Sequence, residues 1–378
     1  KFKLGKVSII VLHTPGHTLE SSTFLLIDEN GKNHAIFSGD TLFLGDVGRP
    51  DLAIKSDLTK EDLAGMLYHS LRDKIMPLAD DVIVYPAHGA GSACGKNLSK
   101  ETVGILGEQK QSNYALRADM SEAEFVKEVL DGMPPPPQYF AKNAMLNKSG
   151  YDPFEMVLKK GNIPLEIDEF EAIANHESAL VLDVRPEHEF IAGHIPNSIF
   201  IGIHGAFAPW VGALIPDLKQ PILLVTPKGK EKETVTRLSR VGYDNTLGYL
   251  KGGFENWKAS GKDVDVLDSI TAEEFTHKTN VQNLNILDVR KSGEHQSMYL
   301  NLKGVENFPL DFINDNLHTI DKTKTYHIHC AGGYRSVIAA SILKARGFFN
   351  LVNIEGGFEE LKKTGVQMSD FVCPSTIK

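Results

Sequence analysis

Apolar residues in the second half of the chain follow an order that is used twice. Each copy has a helix start, an apolar strand into the sequence LDVR, another strand, a loop, a helix stopped by a glycine and a strand into the sequence GGF. Strands that alternate with helices predict a parallel sheet with helices on its faces. The pattern therefore indicates one α/β domain used twice, with LDVR at 182–185 and 287–290 and GGF at 252–254 and 356–358.

The beginning of the chain follows a different pattern, in which strand-like apolar runs alternate with turn signals at 7–12, 22–27, 35–38 and 82–85. Helices are predicted over 58–75 and 100–116. The sequence PPPPQYF fits neither a helix nor a central strand, and we interpret its surroundings as a short helical extension and a connector. The chain is therefore divided into a first domain, this connector and two repeats, at 1–117, 118–165, 166–266 and 267–378.

Composition narrows the class of protein. A chain of 378 residues with 42% hydrophobic residues is long enough for two or three globular domains. Its formal net charge of −9 argues against nucleic acid or an anionic membrane surface as the main partner, and no apolar run is long enough to span a bilayer. Three cysteines, Cys94, Cys330 and Cys373, do not suit a disulfide scaffold. We therefore expect free thiols in a reducing, cytoplasmic location.

The sequence HCAGGYRS, residues 329–336, places Cys330 between a predicted strand and a predicted helix. At such a turn, backbone N–H groups converge on the sulfur, and Gly332 and Gly333 let the backbone curl tightly. The helix N-terminus and Arg335 favour the thiolate, the nucleophilic form of the side chain. A buried, inert cysteine is the alternative interpretation.

Loop size separates two chemistries. Protein tyrosine phosphatases hold phosphate in a loop with five residues between cysteine and arginine, whereas four separate Cys330 from Arg335. The tighter ring suits a sulfur atom carried on cysteine better than a phosphate. The combination of LDVR, HCAGGYRS and GGF resembles the rhodanese family of sulfurtransferases, and the two repeats resemble tandem rhodanese domains.

The resemblance to rhodaneses implies that Cys330 takes a sulfane sulfur as a persulfide and passes it to an acceptor, with Arg335 as its catalytic partner. It also implies a loop that binds the sulfur or an anion, formed by Ala331, Gly332, Gly333, Tyr334 and Ser336. In the first repeat Thr226 stands at the position of Cys330. Because a hydroxyl has no thiolate chemistry, we expect this copy to be catalytically silent and to serve packing, oligomer contacts or substrate routing.

Three potential metal ligands follow apolar strands in the first domain: His17 in TPGHT, Asp40 in FSGDTLF and His88 in YPAHGAG. Side chains at strand ends can lie along one edge of a sheet, and two imidazoles with a carboxylate make a plausible transition-metal site. Any one of them alone is better explained as a turn residue.

This set resembles the metallo-β-lactamase fold, and its closest pattern is that of glyoxalase II and the persulfide dioxygenases. The resemblance implies that His17 and Asp40 bind metal and that His88 lies near it, or binds a second metal as in glyoxalase II. Arg49, in VGRPDL, matches an arginine that helps the dioxygenases bind a thiol carrier. Cys94 is either a redox-active thiol near the metal or a buried inert one. The HxHxDH motif of the superfamily is expected upstream of His17, so the third ligand and the first part of the fold are not in this sequence.

Together the resemblances imply an α/β protein: a partial metallo-β-lactamase αββα sandwich followed by two rhodanese-like domains with parallel sheets. They imply one Fe(II) per chain, at which a low-molecular-weight thiol persulfide is oxidised by O₂ to sulfite and thiol. Cys330 would then transfer sulfane sulfur to sulfite and form thiosulfate. The alternatives are a glyoxalase II-like thioester hydrolase with two zinc ions and a non-catalytic sulfur carrier. We expect a homo-oligomer.

Overall fold

The computed structural model describes residues 1–52, 58–89, 94–95, 98–131, 133 and 140–372. The chain divides into two compact units, Lys1–Ala141 and Lys142–Lys378. Cys373 and residues 134–139 of PPPPQYF lie outside the described residues. Within the described ranges, no helix has both the length and the apolar character needed to cross a membrane.

The first unit is built on one six-stranded sheet. Its strands are β1 (Phe2–Leu4), β2 (Val7–His13), β3 (Ser22–Ile27), β4 (Asn33–Gly39), β5 (Ile83–Pro86) and β6 (Gly104–Ile105), in that spatial order. All neighbouring pairs are antiparallel except β4 and β5, which are parallel. The helices are α1 (Lys60–Ser70), α2 (Leu106–Ser112) and α3 (Glu122–Leu130).

The two helices predicted from the sequence of this unit differ in how well they match. Helix α1 starts at a capping box formed by Thr59 and Asp62 and continues as a π-helical turn over Leu71–Ile75, close to the predicted 58–75. The predicted helix over 100–116 is wrong in its first part, where β6 pairs with β5 before α2 begins. Asn113 ends α2 because its side chain donates to backbone carbonyls of the loop between β4 and α1.

Alternate residues of the central strands face opposite sides of the sheet. One face is buried under the helices, with Leu25, Ile36 and Val84 in the core. The other face carries a row of cross-strand partners, 37–43% exposed: Val11, Phe24, Phe37 and Tyr85. A sheet with helices on one face is half of the predicted αββα sandwich, and an apolar row of this kind is typical of a sheet face that packs against a second sheet.

The second unit contains the same five-stranded parallel sheet twice, as predicted. The first sheet consists of β7 (Pro164–Leu165), β8 (Leu180–Asp183), β9 (Ile199–Phe200), β10 (Ile222–Val225) and β11 (Thr246–Leu250), in the spatial order β7-β11-β10-β8-β9. The second consists of β12 (Ser269–Ile270), β13 (Asn285–Asp288), β14 (Val305–Asn307), β15 (Tyr326–His329) and β16 (Leu351–Ile354), in the order β12-β16-β15-β13-β14. Every pair of neighbouring strands is parallel.

Helices surround both parallel sheets. Those before and in the first repeat are α4 (Phe140–Ser149), α5 (Phe154–Gly161), α6 (Ile167–His176), α7 (Glu187–Ala192), α8 (Phe207–Leu214), α9 (Glu231–Ser239) and α10 (Gly253–Ala259). Those of the second repeat are α11 (Ala272–Thr279), α12 (Ser292–Ser297), α13 (Ile313–Asn316), α14 (Tyr334–Ala345) and α15 (Gly357–Leu361).

One cluster of buried hydrophobic residues spans both repeats. Leu182 of the first sheet and Leu287 of the second belong to the same cluster of buried residues, which also contains Cys330. A hydrogen bond from the backbone N–H of Phe200 to Ser341 Oγ, 2.9 Å long, joins β9 to α14. The repeats are therefore packed against each other through the helix that follows Cys330.

Candidate functional site

Cys330 lies at the turn between β15 and α14, where the sequence placed it. Its side chain is 1% exposed. Gly333 takes a φ of 103°, which only glycine adopts readily, and its backbone N–H donates to Cys330 Sγ at 3.1 Å. The sulfur lies 3.7 Å from Ser336 Oγ, which donates to the carbonyl of Gly333 at 2.8 Å. The loop therefore offers the sulfur a main-chain donor and a hydroxyl.

Arg335 is held beside this loop by Glu294, a residue that the sequence analysis did not single out. Its two terminal nitrogens donate to the two carboxylate oxygens at 2.6 and 2.8 Å, the bidentate geometry that arginine favours. Burial lowers the pKa of Arg335, but Glu294, and after it Cys330 and Asp311, outweigh this and raise it. Burial raises the pKa of Glu294, and the hydrogen bonds from Arg335 reverse that shift and lower it. The pair is therefore ionised on both sides.

A second ionic cluster lies behind the loop. Asp288, in LDVR, is fully buried and accepts hydrogen bonds from Arg290 Nε at 2.9 Å and from His295 Nδ1 at 2.8 Å. Burial disfavours the charged carboxylate, but His329, Arg290 and His295 together hold the pKa of Asp288 well below its usual range. Arg290 also stacks over Phe358, 3.7 Å from the ring centroid. This cluster ties β13 to α12 and α15 and so supports the helix that carries Glu294.

The equivalent turn of the first repeat has a different lining. Thr226 is 6% exposed at the position of Cys330. The backbone N–H of Gly229, which corresponds to Gly333, donates to Glu231 Oε1 at 3.0 Å. Lys230, at the position of Tyr334, pairs with Glu233 at 2.8 Å. In the first repeat a carboxylate therefore accepts the N–H of Gly229, whereas in the second repeat the corresponding N–H donates to the sulfur. The loop of the first repeat also lacks the thiol and the arginine.

In the first unit the structure brings His17, Asp40 and His88 together. His17 Nε2 lies 3.1 Å from one oxygen of Asp40, and His88 Nε2 lies 3.4 Å from the other. His17 Nδ1 contacts the carbonyl oxygen of Arg49 at 2.9 Å. Because a carbonyl can only accept, Nδ1 carries a proton, and Nε2 is the nitrogen that faces Asp40. This is the orientation that a metal-binding histidine needs.

Close backbone approach builds the site as much as the side chains do. A Cβ atom on Gly48 would lie 1.9 Å from the carbonyl oxygen of Asp40 and 3.2 Å from His17 Nδ1. Glycine is therefore the residue that fits between the two ligands. The sequence analysis missed Gly48 and the carbonyl of Arg49, although both belong to VGRPDL, the motif it had linked to substrate binding.

Cys94 also faces this site. Its sulfur lies within 4.8 Å of ligand atoms of both Asp40 and His88, and the residue is 8% exposed. Imidazole nitrogen, carboxylate oxygen and thiol sulfur all serve as ligands of iron and of zinc. The donor set and the fixed tautomer of His17 fit a metal ion.

Arg49 differs from the expectation. A guanidinium presented to a thiol carrier was predicted, but the side chain is 2% exposed and pairs with Asp51 at 2.6 and 2.7 Å. The reason is local, because Asp51 lies two residues further on and the loop folds the two side chains together. The charge of Arg49 is therefore compensated within the protein, while its backbone carbonyl orients His17.

Known proteins are similar to both parts of the chain. The rhodanese-like domain family matches residues 166–260 and 271–364. The crystal structure of a metallo-β-lactamase from Staphylococcus aureus subsp. aureus COL is similar with a TM-score of 0.54 and 30% identity, over 66% of this chain and 68% of that one. The predicted combination of a metallo-β-lactamase fold with two rhodanese domains is confirmed.

Two curated proteins are similar to parts of the chain. Human mitochondrial persulfide dioxygenase ETHE1 is 31% identical over 125 residues, which cover 33% of this chain and 41% of that protein. The hydroxyacylglutathione hydrolase GloC of Haemophilus influenzae is 35% identical over 94 residues, which cover 25% of this chain and 39% of that protein. The chain thus spans less than half the length of either relative. The likeness to metallo-β-lactamase-fold proteins implies a metal site in the first unit.

Proposed function

The chain belongs to the rhodanese-like family, with two copies of that domain following a partial metallo-β-lactamase fold, and we propose that it oxidises a thiol persulfide and transfers sulfane sulfur through Cys330. The observation that carries the proposal is the contact of 3.1 Å between the N–H of Gly333 and Cys330 Sγ, beside Arg335. A main-chain donor at the sulfur and a guanidinium beside it suit the transfer of a charged sulfur atom to and from Cys330.

Sulfur transfer at Cys330 has two steps. In the first, the thiolate attacks the terminal sulfur of a low-molecular-weight persulfide RSSH, and the S–S bond of the donor breaks. RS⁻ leaves, and Cys330 now carries the terminal sulfur as a persulfide. In the second, sulfite attacks the outer sulfur of ionised Cys330 persulfide, which regenerates the thiolate and releases thiosulfate. The N–H of Gly333 supports the negative charge that builds up on the inner sulfur in the second step.

Sulfite would come from the first unit. His17 and Asp40 would hold one Fe(II), with His88 and Cys94 beside it. When bound, the iron supplies the redox chemistry by which O₂ oxidises the terminal sulfur of the persulfide to sulfite and frees the thiol. The protein's own contribution is to fix His17 through the carbonyl of Arg49 and to keep Asp40 ionised. Burial opposes that ionisation, but the hydrogen bond and charge of His17, with a smaller contribution from His88, outweigh it and lower the pKa of Asp40.

A thioester hydrolase with two zinc ions is the second candidate. The two histidines approach different oxygens of Asp40, and the three residues would help to hold the zinc ions, which would supply an activated water for hydrolysis. Metal analysis of the purified protein separates the candidates, since the dioxygenase predicts one iron per chain and the hydrolase two zincs. Oxygen uptake with a persulfide would also exclude the third candidate, a non-catalytic sulfur carrier.

The central test uses the full-length protein supplied with glutathione persulfide and O₂. The wild type is expected to yield thiosulfate, and Cys330→Ser is expected to stop at sulfite, because a hydroxyl cannot carry the sulfane sulfur. Both products are quantified by chromatography after thiol labelling. An unchanged yield of thiosulfate from Cys330→Ser would refute the coupling. The cytoplasmic location and the homo-oligomer remain predictions.

A further inference from the structure

Tyr334 leaves the active loop and enters the silent repeat. It lies between Gly333, which contacts the sulfur, and Arg335 in the sequence. Its hydroxyl donates to the carbonyl of Gly202 at 2.7 Å, and its ring packs edge-on against Phe200 with 5.7 Å between centroids. Burial raises the pKa of Tyr334, so the hydroxyl keeps its proton and acts as a donor. The loop around Cys330 is therefore attached to the first repeat by its central side chain.

The silent repeat has a notch that fits this ring. A Cβ atom on Gly205 would lie 2.2 Å from Cζ of Tyr334 and 2.6 Å from both Cε1 and Oη, and these are its three nearest atoms. Gly205 is not among the glycines with a left-handed backbone, so its conformation does not demand glycine. The space taken by Tyr334 does. A Cβ atom on Gly202 would lie 3.2 Å from Cε2 of the same ring.

The pseudo-equivalent positions show that the notch is specific to one repeat. Strand pairing aligns Phe200 with Asn307, because Asp183 is paired with the first and Asp288 with the second. Pro309 and Phe312 of the active repeat then stand where Gly202 and Gly205 stand in the silent repeat. On the silent loop, Lys230 stands where Tyr334 stands. The small residues and the tyrosine thus occur only where the silent repeat meets the active loop.

We propose that the silent repeat positions the active site: a notch formed by Phe200, Gly202 and Gly205 holds Tyr334 and thereby fixes the loop that carries Cys330. A loop containing two glycines has many accessible conformations, and ordering it costs free energy. Anchoring Tyr334 keeps the N–H of the neighbouring Gly333 directed at the sulfur before the substrate arrives. The free energy of ordering the loop is therefore supplied when the protein folds and does not add to the reaction barrier. Tyr334 is accordingly a positioning residue. This role rests on the proposed function only in taking Cys330 as the sulfur acceptor.

The test fills the notch by a substitution in the silent repeat, so that the sequence of the loop around Cys330 is unchanged. Gly205→Ala is expected to slow anaerobic loading of Cys330 by glutathione persulfide about tenfold, as measured by mass spectrometry of the full chain. It should also move the midpoint of the pH profile for alkylation of Cys330 by iodoacetamide to higher pH, a change that lost stability alone does not produce. Gly365→Ala is the matched control, since a Cβ there meets no atom within 4 Å.

A double-variant cycle shows whether the effect acts through Tyr334. Once the ring is removed by Tyr334→Ala, adding Gly205→Ala is expected to cause no further loss of loading. The proposal would be overturned if the effects of the two changes on loading were additive. It would also be overturned if Gly205→Ala loaded sulfur at the wild-type rate with an unchanged alkylation profile.

The alkylation profile separates this proposal from the proposed function. If wild-type Cys330 accepts no sulfur while Gly205→Ala still shifts the profile, sulfur transfer is wrong and the positioning role stands. If the wild type is loaded and Gly205→Ala behaves identically in both measurements, the positioning role is wrong and sulfur transfer stands.

Discussion

The two repeats of the second unit share a fold and one ionic device. In each, the aspartate of LDVR forms a buried pair with the arginine two residues later, and that arginine stacks over the phenylalanine of GGF. Arg185 lies 4.1 Å from the ring centroid of Phe254, and Arg290 lies 3.7 Å from that of Phe358. Because the silent copy keeps this device, its purpose is structural. It ties β8 to α10 in the first repeat and β13 to α15 in the second.

The repeats differ in what surrounds that aspartate. Asp288 is paired in register with His329 and contacts His295, whereas Asp183 is paired with Val225. Burial raises the pKa of Asp183 despite Arg185, while the additional nitrogen groups around Asp288 hold its pKa below the usual range. The second repeat therefore places two histidines near its carboxylate in addition to the arginine. The two repeats therefore differ in the groups around this aspartate as well as in the residue at the position of Cys330.

The largest expected effect that sharpens this comparison is on stability. Asp288→Asn leaves Arg290 and His295 without their carboxylate, and the unfolding free energy is expected to fall by about 3 kcal/mol. Asp183→Asn is expected to cost less, since burial already disfavours its charged form. Urea unfolding of the full chain at neutral pH measures both. An equal loss in the two variants would contradict the distinction between the repeats.

The same pair of carboxylates predicts how stability depends on pH. Asp288 has a lowered pKa, so it stabilises the folded state above its unfolded pKa of about 4, and this contribution is lost as the pH falls below that value. Asp183 has a raised pKa, so its burial as a charged carboxylate destabilises the folded state, and protonation at low pH removes that cost. In urea unfolding between about pH 5 and pH 3, Asp288→Asn should flatten the loss of stability, and Asp183→Asn should leave it in place or steepen it.

The next effect concerns the partner of Arg335. Glu294→Ala removes both hydrogen bonds that hold the guanidinium beside the loop, and we expect the loading of Cys330 to slow about tenfold. Glu294→Gln, which keeps one acceptor, should lose less. Rates are measured by anaerobic loading with glutathione persulfide. A faster rate in either variant would show that the negative charge of Glu294 matters more than its hold on Arg335.

The silent repeat supplies the control for this prediction. Glu189 follows LDVR at the same spacing as Glu294, and its carboxylate lies 4.0 Å from Arg185. Because its repeat has no thiol at the loop, Glu189→Ala should leave the loading of Cys330 unchanged. A matching loss would indicate that the effect of Glu294→Ala reflects the stability of the unit and not the position of Arg335.

Much of this architecture could be predicted from the sequence because its signals are local. The repeated order of strands, LDVR, loop and GGF is read within each copy, and the placement of Cys330 between a strand and a helix needs only its neighbours. The contacts that complete the sites join residues far apart in the chain, such as Glu294 with Arg335 and Tyr334 with Gly202. Spacing carries no signal for such contacts. The repeated glutamate after LDVR, however, was a visible signal for Glu294.

In the first unit, too, the sequence predicted which ligands meet but not the contacts around them. The order of His17, Asp40 and His88 after strands was enough to predict that they meet. The role of Arg49 depended on Asp51 and on where the loop turns, neither of which periodicity reveals. The false start of the helix over 100–116 has a similar cause, because pairing of β6 with β5 and the contacts of Asn113 override local helix preference.

The smallest expected effect is the most direct test of the comparison. Thr226→Cys gives the silent repeat a thiol at the position of Cys330, and we expect no sulfur to load there when Cys330 is replaced by Ser in the same chain. Glu231 accepts the N–H of Gly229 and adds a negative charge, so both the donor and the potential that favour a thiolate are lacking. Adding Glu231→Arg should free the amide and reverse the charge. If Thr226→Cys alone loads sulfur as well as the combined variant does, a thiol at the turn is sufficient and the environment around Cys330 is dispensable.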